Sequence, residues 1–92
     1  MPERRAKIVK PLDLRVDLET NAAYVRYADA SVAGTIDVWQ DGWVAADVDN
    51  EGHIVGIEVL DLQRETLEHA RTFANARGLA FPDHLDGIRA SA

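Results

Sequence analysis

The spacing of apolar residues changes once along this chain of 92 residues, near residue 61. Before that point apolar and polar residues alternate, as in residues 12–18, where every second residue is a leucine or a valine. A period of two is typical of half-buried β-strands. After it, apolar residues recur every three or four positions, which is typical of a helix with one buried face. The pattern therefore predicts an α+β domain in which a sheet precedes a helix.

Turn-forming residues divide the first part of the chain into five predicted strands, within residues 12–18, 22–27, 32–39, 43–49 and 54–60. Asn21 can adopt the left-handed conformation that a tight turn needs. Gly42 ends a three-residue loop of the type I plus glycine bulge kind, which would set Trp39 directly opposite Trp43 so that the indoles touch. We predict an antiparallel β-meander of about five strands, in residues 11–61.

Residues 62–78 form the predicted helix, which packs across one face of the sheet. Its buried stripe consists of Leu62, Leu67, Ala70, Phe73 and Ala74. Asp61 is the predicted N-cap, and Gly78 is expected to end the helix in a left-handed conformation with Leu79 packing back. Residues 79–92 form a C-terminal tail that can dock through Phe81 and Leu85.

Charge is unevenly distributed along the chain. Residues 1–10 carry +3, which leaves −9 on residues 11–92 to give the net −6. An acidic body repels nucleic-acid phosphate, so we expect no nucleic-acid partner. The first ten residues are predicted to be a basic flexible arm, either solvated or in contact with an acidic partner, and residues 11–92 a single domain.

Cysteine is absent, which excludes disulfides, thiolate metal sites and cysteine nucleophiles and fits a reducing compartment. No apolar run approaches the roughly 20 residues that span a bilayer. We therefore expect a cytoplasmic protein with no membrane contact.

An acidic stretch from Asp47 to Glu58 has the spacing of a twelve-residue calcium loop, with Asp49 and Glu51 as further ligands and Gly52 at the sixth place. Glu51 is longer than the residue usual at its place. A calcium-binding hand also needs a helix leading into the loop, whereas the preceding residues have strand spacing. A hairpin with an acidic turn is the preferred interpretation, and calcium or small-ligand binding is the alternative.

In the hairpin interpretation Val44 lies opposite Ile57, so that valine and isoleucine side chains gather on one face. Gly56 and Glu58 then lie on the other face, where Gly56 permits a neighbour to approach the backbone closely.

Two segments resemble the signatures of a small bacterial family, the domain of unknown function 2283. Residues 17–27 (D-L-E-T-N-A-A-Y-V-R-Y) are similar to D-x-x-x-D-A-x-Y-I-R, and residues 47–61 (D-V-D-N-E-G-H-I-V-G-I-E-V-L-D) to D-x-D-x-x-G-x-x-V-G-I-E-I-L. Asn21 replaces the usual aspartate, and the two tryptophans are not part of the pattern. The resemblance covers residues 14–62 and implies a compact antiparallel sheet with no established activity.

Strand alternation places Tyr24, Arg26 and Glu58 on one face, away from the valine-rich core. Together with Trp39 and Trp43 they are candidates for a partner or ligand site. We prefer the interpretation in which Arg26 and Glu58 form a cross-strand ion pair that only fixes the register.

Catalytic motifs are not recognisable in the sequence. The histidines at positions 53, 69 and 84 are scattered, and no nucleophile elbow or phosphate loop is present. We expect no enzyme activity and no cofactor. Because one helix covers only one sheet face, we expect a small non-enzymatic interaction module that forms a homodimer through a sheet face or edge, with an antitoxin-like or regulatory role toward another protein.

Overall fold

A computed structural model describes residues 8–83 and residue 85 of the chain. It contains the strands β1 (Asp13–Asp17), β2 (Ala22–Arg26), β3 (Gly34–Trp39), β4 (Val44–Val48) and β5 (Ile54–Val59), followed by the helix α1 (Arg64–Ala76). All paired strands are antiparallel and belong to one sheet. The predicted α+β fold, a five-stranded antiparallel sheet with one C-terminal helix packed against it, is confirmed.

The strand order differs from a meander. It is β1-β2-β5-β4-β3, so β5 lies between β2 and β4 instead of at an edge. The connection in residues 27–33 therefore crosses three strand spacings, about 14 Å, which seven extended residues cover easily at about 3.3 Å each. Residues 28–31 were predicted to be a tight turn, since Asp29 and Ser31 are turn-forming residues, but they belong to this longer crossover. Burial favours β5 at the centre, because Ile57 and Val59 are fully buried.

The β3–β4 hairpin differs from the prediction at its loop. Trp39 lies opposite Val44, not opposite Trp43, so the predicted pairing of the two tryptophans is wrong. Gln40, Asp41 and the following glycine all have positive φ angles, of 51°, 52° and 93°. Three successive left-handed residues form a longer loop, residues 40–43, than the predicted type I turn with a glycine bulge. At the β1–β2 turn, by contrast, the left-handed conformation predicted for position 21 is present, with φ 57°.

The β4–β5 hairpin has a register shifted by two residues from the prediction. Val44 lies opposite Val59 instead of Ile57. Because the side-chain period of a strand is two, an even shift keeps the side chains from Gly56 onward on their predicted faces. Ile54 was predicted on the face opposite the core and instead packs against the core, because the register shifts near the turn. Near the turn, Val48 pairs with Ile54 and the next pair joins residues 47 and 56, which leaves Val55 as the extra residue of a β-bulge.

The core lies between the sheet and α1. The sheet contributes Ala23, Val25, Tyr27, Val44, Ile57 and Val59, and α1 with its flanks contributes Leu62, Leu67, Ala70 and Ala74. The predicted helical stripe is thus buried, with Phe73 packed partly against it. α1 begins later than predicted: Gln63 is the N-cap without a side-chain hydrogen bond, while the Asp61 carboxylate accepts a hydrogen bond of 3.0 Å from the Thr66 hydroxyl.

The C-terminal end of α1 forms the predicted left-handed stop. Gly78 has φ 73°, its amide donates to the carbonyl of Asn75, and the Leu79 amide donates to that of Ala74. This pair of bonds is a Schellman motif. Beyond it, Phe81 and Leu85 are buried as predicted for the tail.

The predicted arm is described only from residue 8 onward; residues 1–7, 84 and 86–92 lie outside the described part of the chain. Val9 forms a parallel bridge with Leu79, and the Ala80 amide donates to the carbonyl of Val9 over 2.9 Å. The Tyr27 hydroxyl donates to the carbonyl of Ala80 over 2.8 Å. Both ends of the described chain are thereby tied to the same corner of the domain. Within residues 8–83 and 85, no helix has the length and apolar character needed to cross a membrane.

Candidate functional site: the open sheet face

The face of the sheet opposite α1 carries most of the residues that the sequence singled out. We call it the open face. Its side chains come from all five strands: Asp13, Arg15, Tyr24, Arg26, Thr35, Asp37, Ala45, Asp47 and Glu58. The registers bring Tyr24 opposite Glu58 and Ala45 opposite Glu58 on its other side. The alternate residues of β2, β4 and β5 are buried in the core under α1, so the two faces are chemically distinct.

A hydrogen-bonded chain crosses the open face from β2 to β3. The Tyr24 hydroxyl donates to Asp47 Oδ2 over 2.9 Å, and the Thr35 hydroxyl donates to Asp47 Oδ1 over 2.8 Å. To reach Asp47, the tyrosine ring passes over β5 at Gly56. A methyl group built at Gly56 would overlap the ring and its hydroxyl. The close approach predicted at Gly56 is therefore made by Tyr24, and glycine is required there for lack of space.

Tyr24 is held in its neutral form. Burial, the hydrogen bond to Asp47 and the negative charges of Asp47 and Glu58 raise the pKa of Tyr24 to about 12, against an opposing effect of Arg26. A protonated phenol at neutral pH is a hydrogen-bond donor and not a base or nucleophile. The chain of hydrogen bonds thus acts to rigidify the open face.

Arg26 and Glu58 lie on the open face as predicted, but they form no ion pair with each other. Arg26 lies opposite Gly56, and its Nη1 is 3.7 Å from Asp29 Oδ1. The Arg26 Nε is buried and has no hydrogen-bond acceptor among the described residues. Glu58 is exposed. The predicted cross-strand ion pair is therefore absent, because the guanidinium is directed to the connection after β2.

A cleft of about 460 Å³ lies beside these two residues. It is lined by Asp13, Arg15, Tyr24, Arg26, Ala30, Val32, Val55 and Glu58. One wall is β1, and the other is the connection of residues 27–33. The bulge at Val55 contributes an apolar patch to this otherwise charged cleft.

The two tryptophans have separate roles. The Trp39 ring stacks on His69 of α1, with centroids 4.2 Å apart and an interplanar angle of 14°, and packs against the core. Trp43 is 46% exposed, and its carbonyl accepts a hydrogen bond of 2.8 Å from the amide of Leu60, which is also 46% exposed. Since their chain neighbours Val44 and Val59 point into the core, Trp43 and Leu60 extend the open face as an apolar end. Leu60 was not singled out from the sequence, although its alternation with Glu58 already placed it on this face.

The four predicted calcium ligands do not come together. Asp47 and Glu58 lie on the open face, whereas Asp49 and Glu51 lie at the tip of the β4–β5 hairpin. There they meet His53, whose Nδ1 is 3.6 Å and 3.5 Å from their carboxylate oxygens. Ligand atoms of Asp49, Glu51 and His53 all lie within 4.8 Å of one another. The segment is a hairpin, so the preferred interpretation of this stretch holds.

Asp49 organises the hairpin tip. Its Oδ1 accepts hydrogen bonds of 2.9 Å from the backbone amides of Glu51 and of His53. These hydrogen bonds lower the pKa of Asp49, and the bond from the His53 amide has the largest effect. The acidic residues at the tip are thus explained by turn geometry, with one carboxylate holding two amides.

Fold and site together define a small α+β domain with one sheet face under a helix and a polar, hydrogen-bonded face open to solvent. The chain belongs to the family described as "Protein of unknown function (DUF2283)", whose model matches residues 14–63. The resemblance of the two signatures is thereby confirmed. The match includes all five strands, apart from the first residue of β1, and ends just before α1. The hydrogen bonds of Tyr24 and Thr35 to Asp47 and the close approach at Gly56 therefore lie within the matched region. No curated protein and no solved structure matches significantly.

Proposed function

We propose that this protein is a non-enzymatic interaction module that self-associates through the open face. The proposal rests on the observation that α1 covers only one of the two faces of the sheet. α1 packs on one face, while the other presents Trp43 and Leu60 side by side at 46% exposure each. Adjacent exposed apolar side chains beside a rigid polar surface are typical of protein contact sites.

The free energy of apolar burial, compared with the cost of association, indicates which residues determine the affinity of one copy for another. Burying the exposed parts of Trp43 and Leu60 on two copies removes on the order of 400 Å² of apolar surface, about 10 kcal/mol. Association costs about 4–15 kcal/mol in lost freedom of motion. The apolar end therefore roughly balances the cost of association, and the polar residues of the open face set the net affinity and the geometry.

The chemistry of the open face favours binding over catalysis. Its tyrosine stays protonated, and both oxygens of the Asp47 carboxylate accept hydrogen bonds from neighbouring side chains. We propose that the module acts in the cytoplasm on another protein, in a regulatory or antitoxin-like role, with self-association as its first level of assembly.

Light scattering coupled to a sizing column, from about 1 to 100 µM protein, tests self-association. We expect the mass to rise from the 10.2 kDa of one chain toward twice that value. The double variant Trp43→Ser with Leu60→Ser should stay monomeric. Ile36→Ser is the matched control, because Ile36 is 48% exposed but lies on β3 on the other face. A wild-type monomer at 100 µM would contradict the proposal, and dissociation by Ile36→Ser alone would move the contact to the β3 edge.

A second candidate function is metal binding at the hairpin tip. The close approach of Asp49, Glu51 and His53 favours it. One imidazole nitrogen with two carboxylates suits Zn²⁺ better than Ca²⁺, which prefers oxygen ligands throughout. Calorimetric titration with Zn²⁺ alone and with Ca²⁺ alone separates the two ions. We expect one equivalent of Zn²⁺ to bind, with loss of binding in His53→Ala and retention in His69→Ala; no heat at millimolar Zn²⁺ would exclude this function.

A further inference from the structure

We propose that two copies of this chain pack open face to open face, with Arg26 of each copy paired to Glu58 of the other. The proposal rests on the self-association proposed above and assigns its contact residues. It follows from three properties of the open face: a cation whose ion-pair partner is solvent-exposed, an anion without a partner among the described residues, and their relative position in the sheet.

Arg26 and Glu58 lie one diagonal step apart on neighbouring strands. Tyr24 is opposite Glu58 and Arg26 is opposite Gly56, so the two charged residues are diagonal neighbours, about 7–8 Å apart at the backbone. They project to the same side of the sheet, within the same cleft. A cation and an anion are therefore displayed next to each other without neutralising each other.

Neither charge is well satisfied within one copy. Among the described residues the ion-pair partner of Arg26 is Asp29, at 3.7 Å, whose side chain is 88% exposed. Such an exposed pair contributes little, about 0–1 kcal/mol. Glu58 has no ion-pair or hydrogen-bond partner among residues 8–83 and 85. Both groups are free to take a partner from outside the copy.

Two-fold symmetry makes this pair of charges self-complementary. Consider a two-fold axis that lies parallel to two facing sheets, midway between them, and crosses over the line from Arg26 to Glu58 at its midpoint and at a right angle. Such an axis places Arg26 of one copy over Glu58 of the other, and Glu58 of the first over Arg26 of the second. A single copy's arrangement thus yields two ion pairs in the dimer. The hydrogen bonds of Tyr24 and Thr35 to Asp47 keep the neighbouring carboxylate occupied, so it does not compete for Arg26.

The area of the open face indicates the strength of the dimer. Five strands about 4.8 Å apart and about 18 Å long cover roughly 430 Å² per copy, or roughly 860 Å² for two. This flat area is below the roughly 1,200 Å² of accessible surface that standard stable interfaces bury, so we expect a weak dimer. In such an interface, reversing two charge contacts is expected to abolish association at tens of micromolar.

Charge reversal and mixing test the pairing. Arg26→Glu alone and Glu58→Arg alone should each weaken dimerisation at least 30-fold in sedimentation equilibrium, because like charges then meet twice per dimer. An equimolar mixture of the two variants should form a heterodimer within about 3-fold of the wild-type affinity. In that mixture the new carboxylate at position 26 faces the new guanidinium at position 58, and the two unchanged residues face each other. The double variant should also recover homodimers.

Arg64→Glu is the matched control, since Arg64 is an exposed arginine of α1, which packs on the other face of the sheet. It should change the dissociation constant less than 3-fold. Circular dichroism checks that each variant is folded. If a reversed variant does not fold, Arg26→Gln and Glu58→Gln replace the pair; each should weaken dimerisation at least 5-fold, and their mixture should recover part of the affinity, because the heterodimer keeps one Arg26–Glu58 pair that neither homodimer has.

The outcomes separate this inference from the function on which it rests. A wild-type dimer that Arg26→Glu and Glu58→Arg leave unchanged overturns the pairing but keeps self-association, through another surface. Folded single variants that stay monomeric when mixed also overturn it, and assign the two residues to a different ligand. A wild-type chain that is monomeric throughout overturns both.

Discussion

Replacing Gly56 by alanine should destabilise the domain through Tyr24. Gly56 lies in the extended backbone of the central strand β5, so alanine can adopt its backbone conformation. The new methyl group would nevertheless overlap the Tyr24 ring and hydroxyl. Tyr24 must swing away, and its hydrogen bond of 2.9 Å to Asp47 is lost.

Two terms of opposite sign set the expected free energy. Losing a hydrogen bond to a charged acceptor costs about 1.5–3 kcal/mol. Alanine in place of glycine inside a strand returns about 0.5–1 kcal/mol, because the unfolded chain loses freedom. The net loss for Gly56→Ala is therefore about 1–2 kcal/mol. In the Tyr24→Ala background the first term is absent, so the same substitution should be neutral or stabilising.

Urea unfolding followed by tryptophan fluorescence, at a protein concentration where the chain is monomeric, measures the four members of this cycle. With a slope of about 1 kcal/mol per molar urea, Gly56→Ala should lower the midpoint by about 1–2 M. The coupling energy between the two positions should be at least about 1 kcal/mol. A Gly56→Ala loss that is the same with and without the tyrosine would refute the reasoning, because the loss would then be independent of the close approach.

Three further predictions concern other parts of the fold. Burial raises the pKa of Tyr24 and of Tyr27 to about 12 each, so both tyrosines of the folded chain should ionise near pH 12 in an absorbance titration, against about 10 in urea. Since the folded pKa values are the higher ones, the stabilisation is full below pH 10 and is lost as the pH rises through 12; ionisation of the folded protein near pH 10 would contradict this. Asp49→Ala should accelerate hydrogen exchange of the two turn amides that its carboxylate holds, whereas Asp49→Asn, which keeps the acceptor oxygen, should retain their protection; equal exchange in both variants would show that the carboxylate does not hold the turn. Trp39→Ala should lower the unfolding free energy by about 2–3 kcal/mol and Trp43→Ala by less than about 1 kcal/mol, because the first ring packs on the core and the second is half exposed; similar losses in chemical denaturation would argue against the separate roles.

Face assignment was the part of the fold that the sequence predicted best. Tyr24 and Glu58 were placed together on one face from alternation alone, and they lie opposite each other in the structure. The assignment survived a register error of two residues between β4 and β5, because an even shift changes partners but not faces. The helix and its left-handed stop at Gly78 were also readable, since both depend on residues close together in the chain.

Contacts between distant segments were not readable in this way. The tryptophans were expected to meet each other, but Trp39 instead stacks on His69, thirty positions away in α1. Arg26 was expected to pair with Glu58 and instead approaches Asp29. In both cases several partners were chemically equivalent, and the choice among them depended on the path of the backbone.

The sequence by itself determined the class of fold, most of the strand faces and the family, because hydrophobic period, turn residues and signature motifs are local properties of the chain. Trp39 and Ile54 are the exceptions: both were predicted on the face opposite the core and pack against the core instead, because a register irregularity precedes Trp39 and another follows Ile54. Only the tertiary structure decided the strand order, with β5 between β2 and β4, because the length of the connection in residues 27–33 permits several paths and burial of the most apolar strand selects one. That choice sets Gly56 beneath Tyr24 and brings Asp47 within its reach. Each strand's own sequence thus determines which of its side chains lie on the open face. The pairing of β5 with β2 and β4, which no local pattern specifies, determines which of those side chains contact each other.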